Sequence, residues 1–144
     1  MSTSFRRLKP AATGTGEAFT FSDYLIMKDF LYLFRGGEDA HAMEKNAGPE
    51  AWQQHMMKWK TWMDGLAADG KYVGGQPLAM SGSVISGSER IMTDGPFVEG
   101  KDVINGYLLI KAKDLGEASE LAKGCPILDI VGSVEVREIN STMM

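Results

Sequence analysis

Short apolar runs and one helical stripe predict the first elements of this chain. Residues 30–34, Phe-Leu-Tyr-Leu-Phe, are continuously apolar and end at Arg35-Gly36-Gly37, which predicts a strand covered on both faces. The polar residues 38–48 predict a loop, and Pro49 is placed to begin a helix. Five apolar residues then recur at spacings of four and three and predict one buried stripe: Trp52, Met56, Trp59, Met63 and Leu66.

The same reasoning extends to the rest of the chain. Asp69-Gly70 ends the helix, and residues 71–75 predict a second strand. A weaker strand is expected over residues 84–92, interrupted by Gly87, and a strongly apolar strand over residues 106–112. Residues 94–97, Asp-Gly-Pro-Phe, are rich in turn formers and predict a tight connection between these two strands.

The last part of the pattern predicts a second helix and a final strand. Asp114 is placed to cap the helix, with Glu117 three positions later. Gly124 is placed to end this helix, and Pro126 two residues later cannot continue it. Polar and apolar residues alternate over residues 134–137, which predicts a half-solvated strand near a sheet edge.

The order strand, helix, strands, helix, strand predicts an α+β fold. It is the ferredoxin-like split βαβ arrangement, an antiparallel sheet with two helices on one face. Two helices cover only one face, yet residues 30–34 and 106–112 are apolar on both. A symmetric homodimer with stacked sheets would cover the second face. The alternative is that residues 1–26 fold over it.

Composition divides the chain into an N-terminal extension at 1–26, a domain at 27–140 and a tail at 141–144. Residues 1–26 are turn-rich and lack apolar periodicity, so they read as a dispensable flexible extension or a docking arm. The net charge of -4 and scattered basic residues argue against a nucleic-acid partner. With no membrane segment, no leader pattern and a single cysteine, Cys125, a cytoplasmic location is expected.

Five separate strings, taken in order, resemble one known family. They are residues 94–101 (Asp-Gly-Pro-Phe-Val-Glu-Gly-Lys), residues 104–107 (Ile-Asn-Gly-Tyr), Cys125-Pro126, residues 132–137 (Gly-Ser-Val-Glu-Val-Arg), and Trp59, Trp62 and Leu66 before Gly70 and Gly75. Together they resemble the DGPF branch of the YCII-related family over residues 29–139. The resemblance implies a fold of the dimeric α/β-barrel type, which agrees with the homodimer expected from the two-sided strands.

The resemblance also suggests what kind of site to expect. Related YCII proteins carry a His-Asp pair in a cleft, and one member type eliminates chloride from a chlorinated hydroxyquinol. Some members of the branch are associated with extracytoplasmic-function sigma factors. The position of the family histidine falls near Trp59 in this chain. His55 lies one turn earlier, so it flanks the same stripe and could reach the same cleft.

Asp94 and His55 are therefore the candidate catalytic residues. An acid in a cleft between sheet and helix suits proton transfer, whereas an Asx-turn would make Asp94 a structural residue. His55 beside an apolar stripe could equally be a boundary residue, and His41 is expected in a solvated loop. For Trp59 and Trp62, the alternative to contacting a ligand is a place in the core.

Two functions remain open from the sequence. The first is binding of a small aromatic or apolar molecule near residues 94–97, with lyase- or hydrolase-type acid/base chemistry. The candidate ligand contacts are Trp59, Trp62, Phe97 and Tyr107. The second is a non-catalytic regulatory or interaction module associated with an extracytoplasmic-function sigma factor. No cofactor is expected, and two histidines and one cysteine without close ligand spacing predict no metal site.

Overall fold

The computed structural model describes residues 26–36, 40–95 and 103–140. Within these residues the chain forms six strands, two α-helices and one 3-10 helix. In chain order the elements are β1 (Lys28–Arg35), α1 (Ala40–Ala68), β2 (Tyr72–Pro77), β3 (Gly82–Ser86), β4 (Ile91–Gly95), β5 (Ile104–Ala112), α2 (Leu115–Ala122), the 3-10 helix (Pro126–Ile130) and β6 (Ser133–Glu138).

Four of the strands form one antiparallel sheet in the order β2-β5-β1-β6. The two central strands, β1 and β5, are the two continuously apolar segments of the sequence. The remaining strands, β3 and β4, pair with each other as a separate hairpin inserted between β2 and β5. The strand order confirms the ferredoxin-like α+β fold, and the position of β6 confirms the expected edge strand.

The core lies between one face of this sheet and the two helices. Alternate residues of the central strands point into it, because successive side chains of a strand face opposite ways. The largest fully buried side chains are Phe30 and Tyr32 of β1 and Ile110 of β5. Leu66 of α1 and Ala118 of α2 close the core from the helical side.

The first helix begins earlier than the sequence pattern indicates. The loop predicted for residues 38–48 is wrong over residues 40–47, which are helical. This segment is rich in alanine and other good helix formers, a propensity that its lack of an apolar stripe concealed. A break at Gly48, with φ of 87°, separates it from the helix that Pro49 begins as predicted.

The predicted stripe of α1 is confirmed at Trp59, Met63 and Leu66 but is wrong at Met56. Met56 is 43 % exposed, whereas His55 is only 5 % exposed. Leu66 is buried as predicted, and Trp59 and Trp62 pack against the core. At about 100° per residue, the buried face centres on positions 55, 59, 62 and 66, so Met56 falls at its border.

Two of the predicted helix boundary signals, Gly70 and Asp114, are confirmed by their hydrogen bonds. Gly70, with φ of 73°, lets the Lys71 amide donate to the Leu66 carbonyl at 2.8 Å and its own amide donate to Ala67 at 3.0 Å. These two hydrogen bonds are a Schellman ending for α1. At α2, the Glu117 amide donates to Asp114 Oδ1 at 2.9 Å, so Asp114 is the cap that its position indicated.

The strand predicted at residues 84–92 is instead two strands joined by a turn. Gly87 has φ of 78°, and Arg90, also at positive φ, donates its amide to the Gly87 carbonyl at 3.0 Å. The expectation of a connection at residues 94–97 is corrected in part. Asp94 and Gly95 are the last residues of β4, paired with Ser83 and Gly82, while residues 96 and 97 lie outside the described part of the chain.

Candidate functional site

His55 sits in an aromatic cluster on the inner face of α1. The Trp59 indole Nε1 donates a hydrogen bond to His55 Nε2 at 3.0 Å. The ring of Trp52 lies 5.8 Å from the imidazole on one side, and Phe34 of β1 meets Trp59 edge-on at 5.1 Å. The imidazole is thus held by neighbours three and four residues away on α1, and Trp59 in turn packs on the sheet.

This geometry sets the protonation of the imidazole. Because Nε2 accepts a hydrogen bond, the proton of the neutral ring is on Nδ1. Burial lowers the pKa of His55 and the charge of Lys58 lowers it further, while the carboxylate of Asp129 opposes both. The neutral ring is therefore the favoured form at pH 7, and a base role would require it to give up the hydrogen bond from Trp59.

We expect the stability of the domain to fall on acidification because of His55. The pKa is lower in the folded chain than the value of about 6.5 in the unfolded chain, so below pH 6.5 the unfolded state binds the proton first. Replacing His55→Gln keeps an acceptor for Trp59 and should flatten urea-unfolding stability between pH 7 and pH 5. His41→Gln serves as the control. An unchanged pH profile in His55→Gln would show that the imidazole ionises equally in both states.

A surface groove lies next to this cluster, between α1 and the 3-10 helix. Its volume is about 530 Å³. It is lined by one tryptophan, two other largely apolar residues, a lysine, an aspartate and two small residues: Trp62, Met57, Pro126, Lys58, Asp129, Thr61 and Gly124. Lys58 Nζ lies 3.6 Å from Asp129 Oδ2, so an ion pair joins the helix to the 3-10 segment.

Local structure fixes the wall of the groove. The Trp62 indole N–H donates to the Leu121 carbonyl at 3.0 Å, and its ring stacks on Tyr32 in the core with a centroid distance of 6.0 Å. A Cβ atom at Gly124 would lie 3.0 Å from the Trp62 ring, so glycine allows the close approach. Trp62 is therefore held rigidly, with one side on the core and the other on the groove.

The neighbouring Cys125 does not add a nucleophile to the groove. Its side chain is 2 % exposed, and burial raises the pKa of the thiol to about 12. The thiol is therefore protonated at neutral pH, and thiols react as thiolates. Cys125 belongs to the core cluster, where it packs as a small apolar residue.

The structure brings some of the sequence-predicted site residues together and separates others. His55, Trp59 and Trp62 are neighbours on α1. Tyr107 of β5 lies on the other face of the sheet, because it alternates with the buried Leu108. Asp94 is exposed on the hairpin, and among the described residues it makes no hydrogen bond to His55. Phe97 lies outside the described residues. The functional roles predicted for all six residues remain predictions.

Sequence reasoning missed the charged pair of the groove. Lys58 and Asp129 are far apart in the sequence, and neither belongs to a motif. Asp129 follows Pro126 by three residues, a spacing typical of a short helix start, which is the one local signal that could have drawn attention to it. Its charge also acts on His55, so the carboxylate whose field reaches the imidazole is Asp129.

The fold and the site together define a class of protein. The chain is a ferredoxin-like α+β domain with an aromatic helix on one face of its sheet and an added β-hairpin. A comparison with protein families matches residues 33–142 to the YCII-related domain, and the chain belongs to this family. A comparison with curated proteins finds no match. Within the described residues, no helix has the length and apolar character needed to cross a membrane.

Proposed function

We propose that the domain binds a small molecule in the groove between α1 and the 3-10 helix. The observation that carries the proposal is the groove of about 530 Å³ walled by the fixed ring of Trp62. Ligand sites are typically concave, mostly apolar and several hundred cubic ångströms in volume, with a few polar groups that orient the ligand. Here the apolar wall is Trp62 with Met57, and the polar groups are Lys58 and Asp129.

The lining residues indicate the chemistry of the ligand. A planar apolar or aromatic group fits against Trp62, since aromatic faces favour stacked or edge-on partners. An anionic group on the ligand would reach Lys58, whose ammonium otherwise pairs with Asp129. The ligand class is therefore a small aromatic or apolar molecule with a carboxylate or similar anionic group.

A more specific proposal is that the domain also carries out acid/base chemistry of the lyase or hydrolase type on this ligand. It needs a base and an acid near one ligand, and the neutral imidazole of His55 lies close enough to Asp129 to respond to its charge. Asp94 would take part only through a ligand or a second subunit that brings the exposed end of β4 to the same site. The hypothesis of an Asp94 and His55 pair thus remains, with Asp129 as the nearer acid.

We expect Met57→Glu to abolish ligand binding in the groove, because its carboxylate would repel the anionic group of the ligand. Met57 is 61 % exposed and lines the groove, so a charged side chain there lies in the groove without disturbing the core. The measurement is a thermal-shift screen against small aromatic carboxylates, followed by calorimetric titration of the best ligand. A loss of at least tenfold in affinity is expected.

Met56→Glu is the matched control for this experiment. Met56 is the preceding residue on α1 and is 43 % exposed, but it does not line the groove. It should bind ligand as the wild-type chain does. Equal binding by all three chains would place the ligand elsewhere, and loss of binding in Asp94→Asn instead would point to the site predicted from the sequence.

We also propose that the domain is a homodimer through the sheet face opposite the helices, which we call the outer face. Leu31 and Leu33 of β1 pair in register with Leu109 and Tyr107 of β5, and all four side chains lie on this face. They are partly exposed, and the two helices lie on the other side. Stacking of two such faces would bury them. The alternative remains that residues 1–26 cover this surface.

A second candidate function is an interaction module, and the hairpin favours it. Ile85 and Met92 of the hairpin are more than 60 % exposed, and exposed apolar patches mark interaction sites. The association of relatives with extracytoplasmic-function sigma factors gives this candidate its partner class. Co-elution of the purified chain with such a sigma factor, together with no ligand in the screen, would favour it over the groove proposal.

A further inference from the structure

The β3–β4 hairpin exposes large apolar side chains on both of its faces. Ile85 and Met92 are paired in register on one face and are 63 % and 66 % exposed. Val84 and Ile91 lie on the opposite face and are 42 % and 53 % exposed. The first of these, which also carries Ser83 and Asp94, is called the open face because its apolar residues are the more exposed.

A hairpin of this kind gains little stability by itself. A two-stranded ribbon is at best marginally stable in water, and it needs another surface against which to bury apolar residues. The strand residues 82–86 and 91–94 are all exposed in the single chain. The chain leading into the hairpin adds two more exposed apolar side chains, Leu78 at 46 % and Met80 at 55 %.

We infer that the open face of the hairpin packs against the β6 border of the outer face in a second copy of this chain, beside the stacked sheets. This inference rests on the homodimer proposed above. It adds that residues 78–95, which we call the arm, extend from each copy onto the other. The arrangement closes with twofold symmetry, because each copy offers one arm and one outer face. It also carries Asp94 into the interface between the copies.

The exposed area agrees with a dimer interface. Ile85, Met92, Leu78 and Met80 together expose on the order of 500 Å², and a standard interface buries about 800 Å² on each partner. The partly exposed Leu31, Leu33, Tyr107 and Leu109 of the outer face add to this area. Arm and outer face together therefore approach the size that a stable pair of subunits needs.

The charges of the two surfaces are also complementary. Asp94 is an exposed acid on the open face. On the outer face, Arg137 lies in register with Leu31, and its side chain is 66 % exposed. Its one ion pair among the described residues is with Glu135, a carboxylate that also binds Arg35. An acid arriving from a second copy would thus meet a positively charged border beside the apolar residues.

The test compares two double variants of the same hairpin. Ile85→Thr with Met92→Thr removes the apolar residues of the open face, and Val84→Thr with Ile91→Thr removes those of the opposite face. Threonine keeps the strand propensity, so the hairpin should be retained in both. By analytical ultracentrifugation, we expect the dimer dissociation constant to rise at least tenfold for the open-face pair and less than threefold for the control.

The position of the arm is tested by spin labelling. Glu89→Cys places a nitroxide at the hairpin turn, and Cys125 should not compete because it is buried and its thiol is protonated. Labelled chains mixed with ¹⁵N-labelled wild-type chains should broaden the amide signals of Leu31, Leu33 and Leu109. Broadening confined to the hairpin or the helices would overturn the inference.

The outcomes of these experiments distinguish the arm from the homodimer on which it rests. A wild-type dimer whose dissociation constant is the same in both double variants leaves the homodimer standing and overturns the arm. A monomeric wild-type chain overturns the homodimer and the arm together. Removing residues 1–26 then tests whether that segment covers the outer face. Ligand binding in the groove is measured separately and is unaffected by either result.

Discussion

Replacing Gly75→Ala is expected to destabilise the domain by about 3 kcal/mol. A Cβ atom at this position would lie 2.3 Å from the carbonyl oxygen of Tyr107 and 2.8 Å from the Cα of Leu108. Both are backbone atoms of the central strand β5, so they cannot rotate away as a flexible side chain could. The strand β2 would have to separate from β5, at the cost of their shared hydrogen bonds.

The adjacent glycine is a control for this prediction. A Cβ atom at Gly74 would meet no heavy atom within 4 Å, although the residue is in the same strand. Gly74→Ala should therefore change stability by less than about 1 kcal/mol, and the lower entropy of the unfolded chain favours a small gain. Urea unfolding followed by tryptophan fluorescence measures both. Similar losses in the two variants would mean that strand flexibility, and not the contact with β5, sets the requirement for glycine.

Replacing Tyr32→Ala is expected to cost about 4 kcal/mol, because it empties a fully buried aromatic site. The Tyr32 ring stacks on Trp62 of α1 at 6.0 Å, and its hydroxyl donates to the Ala118 carbonyl of α2 at 2.5 Å. A single side chain of β1 thus contacts both helices. Its loss would leave a cavity where the sheet and the two helices meet.

Tyr32→Phe separates the ring from the hydroxyl. The phenylalanine keeps the packing and loses only the hydrogen bond, so a cost of about 1 kcal/mol is expected. Burial raises the pKa of Tyr32, so the folded state keeps the proton while the unfolded state loses it above about pH 10. Wild-type stability should therefore fall above pH 10, and Tyr32→Phe should lack that part of the fall. Equal costs for Phe and Ala would show that the hydroxyl, not the ring, supplies the stability.

Three predictions that rest on short local signals are confirmed. The apolar strand at residues 30–34, the helix begun by Pro49 and the cap at Asp114 each follow from a pattern a few residues long. Segment 40–47 was missed because its evidence is helix propensity without an apolar stripe. The hairpin was missed because Gly87 was interpreted as an interruption of one strand, and a glycine at positive φ serves a turn equally well.

The candidate site could be predicted only in part. The sequence drew attention to His55, Trp59 and Trp62, and the structure places them side by side on α1. It did not indicate Lys58 and Asp129, because the groove forms only where the 3-10 helix packs beside α1. The string Asp94-Gly95-Pro96-Phe97 stands out in the sequence, yet Asp94 lies on an exposed hairpin, so the catalytic role proposed for it would need a ligand or a second copy to complete the site.

The sequence by itself determined the fold class, the two central strands, the helix caps and the family, because periodicity and capping are local consequences of chain geometry. Only the tertiary structure decided which face of α1 is buried, where the groove forms and where Asp94 lies. These depend on contacts between residues far apart in the chain, and no local pattern specifies the packing that brings them together. A one-residue offset on a helix, as between Met56 and His55, is enough to exchange a surface residue for a buried one.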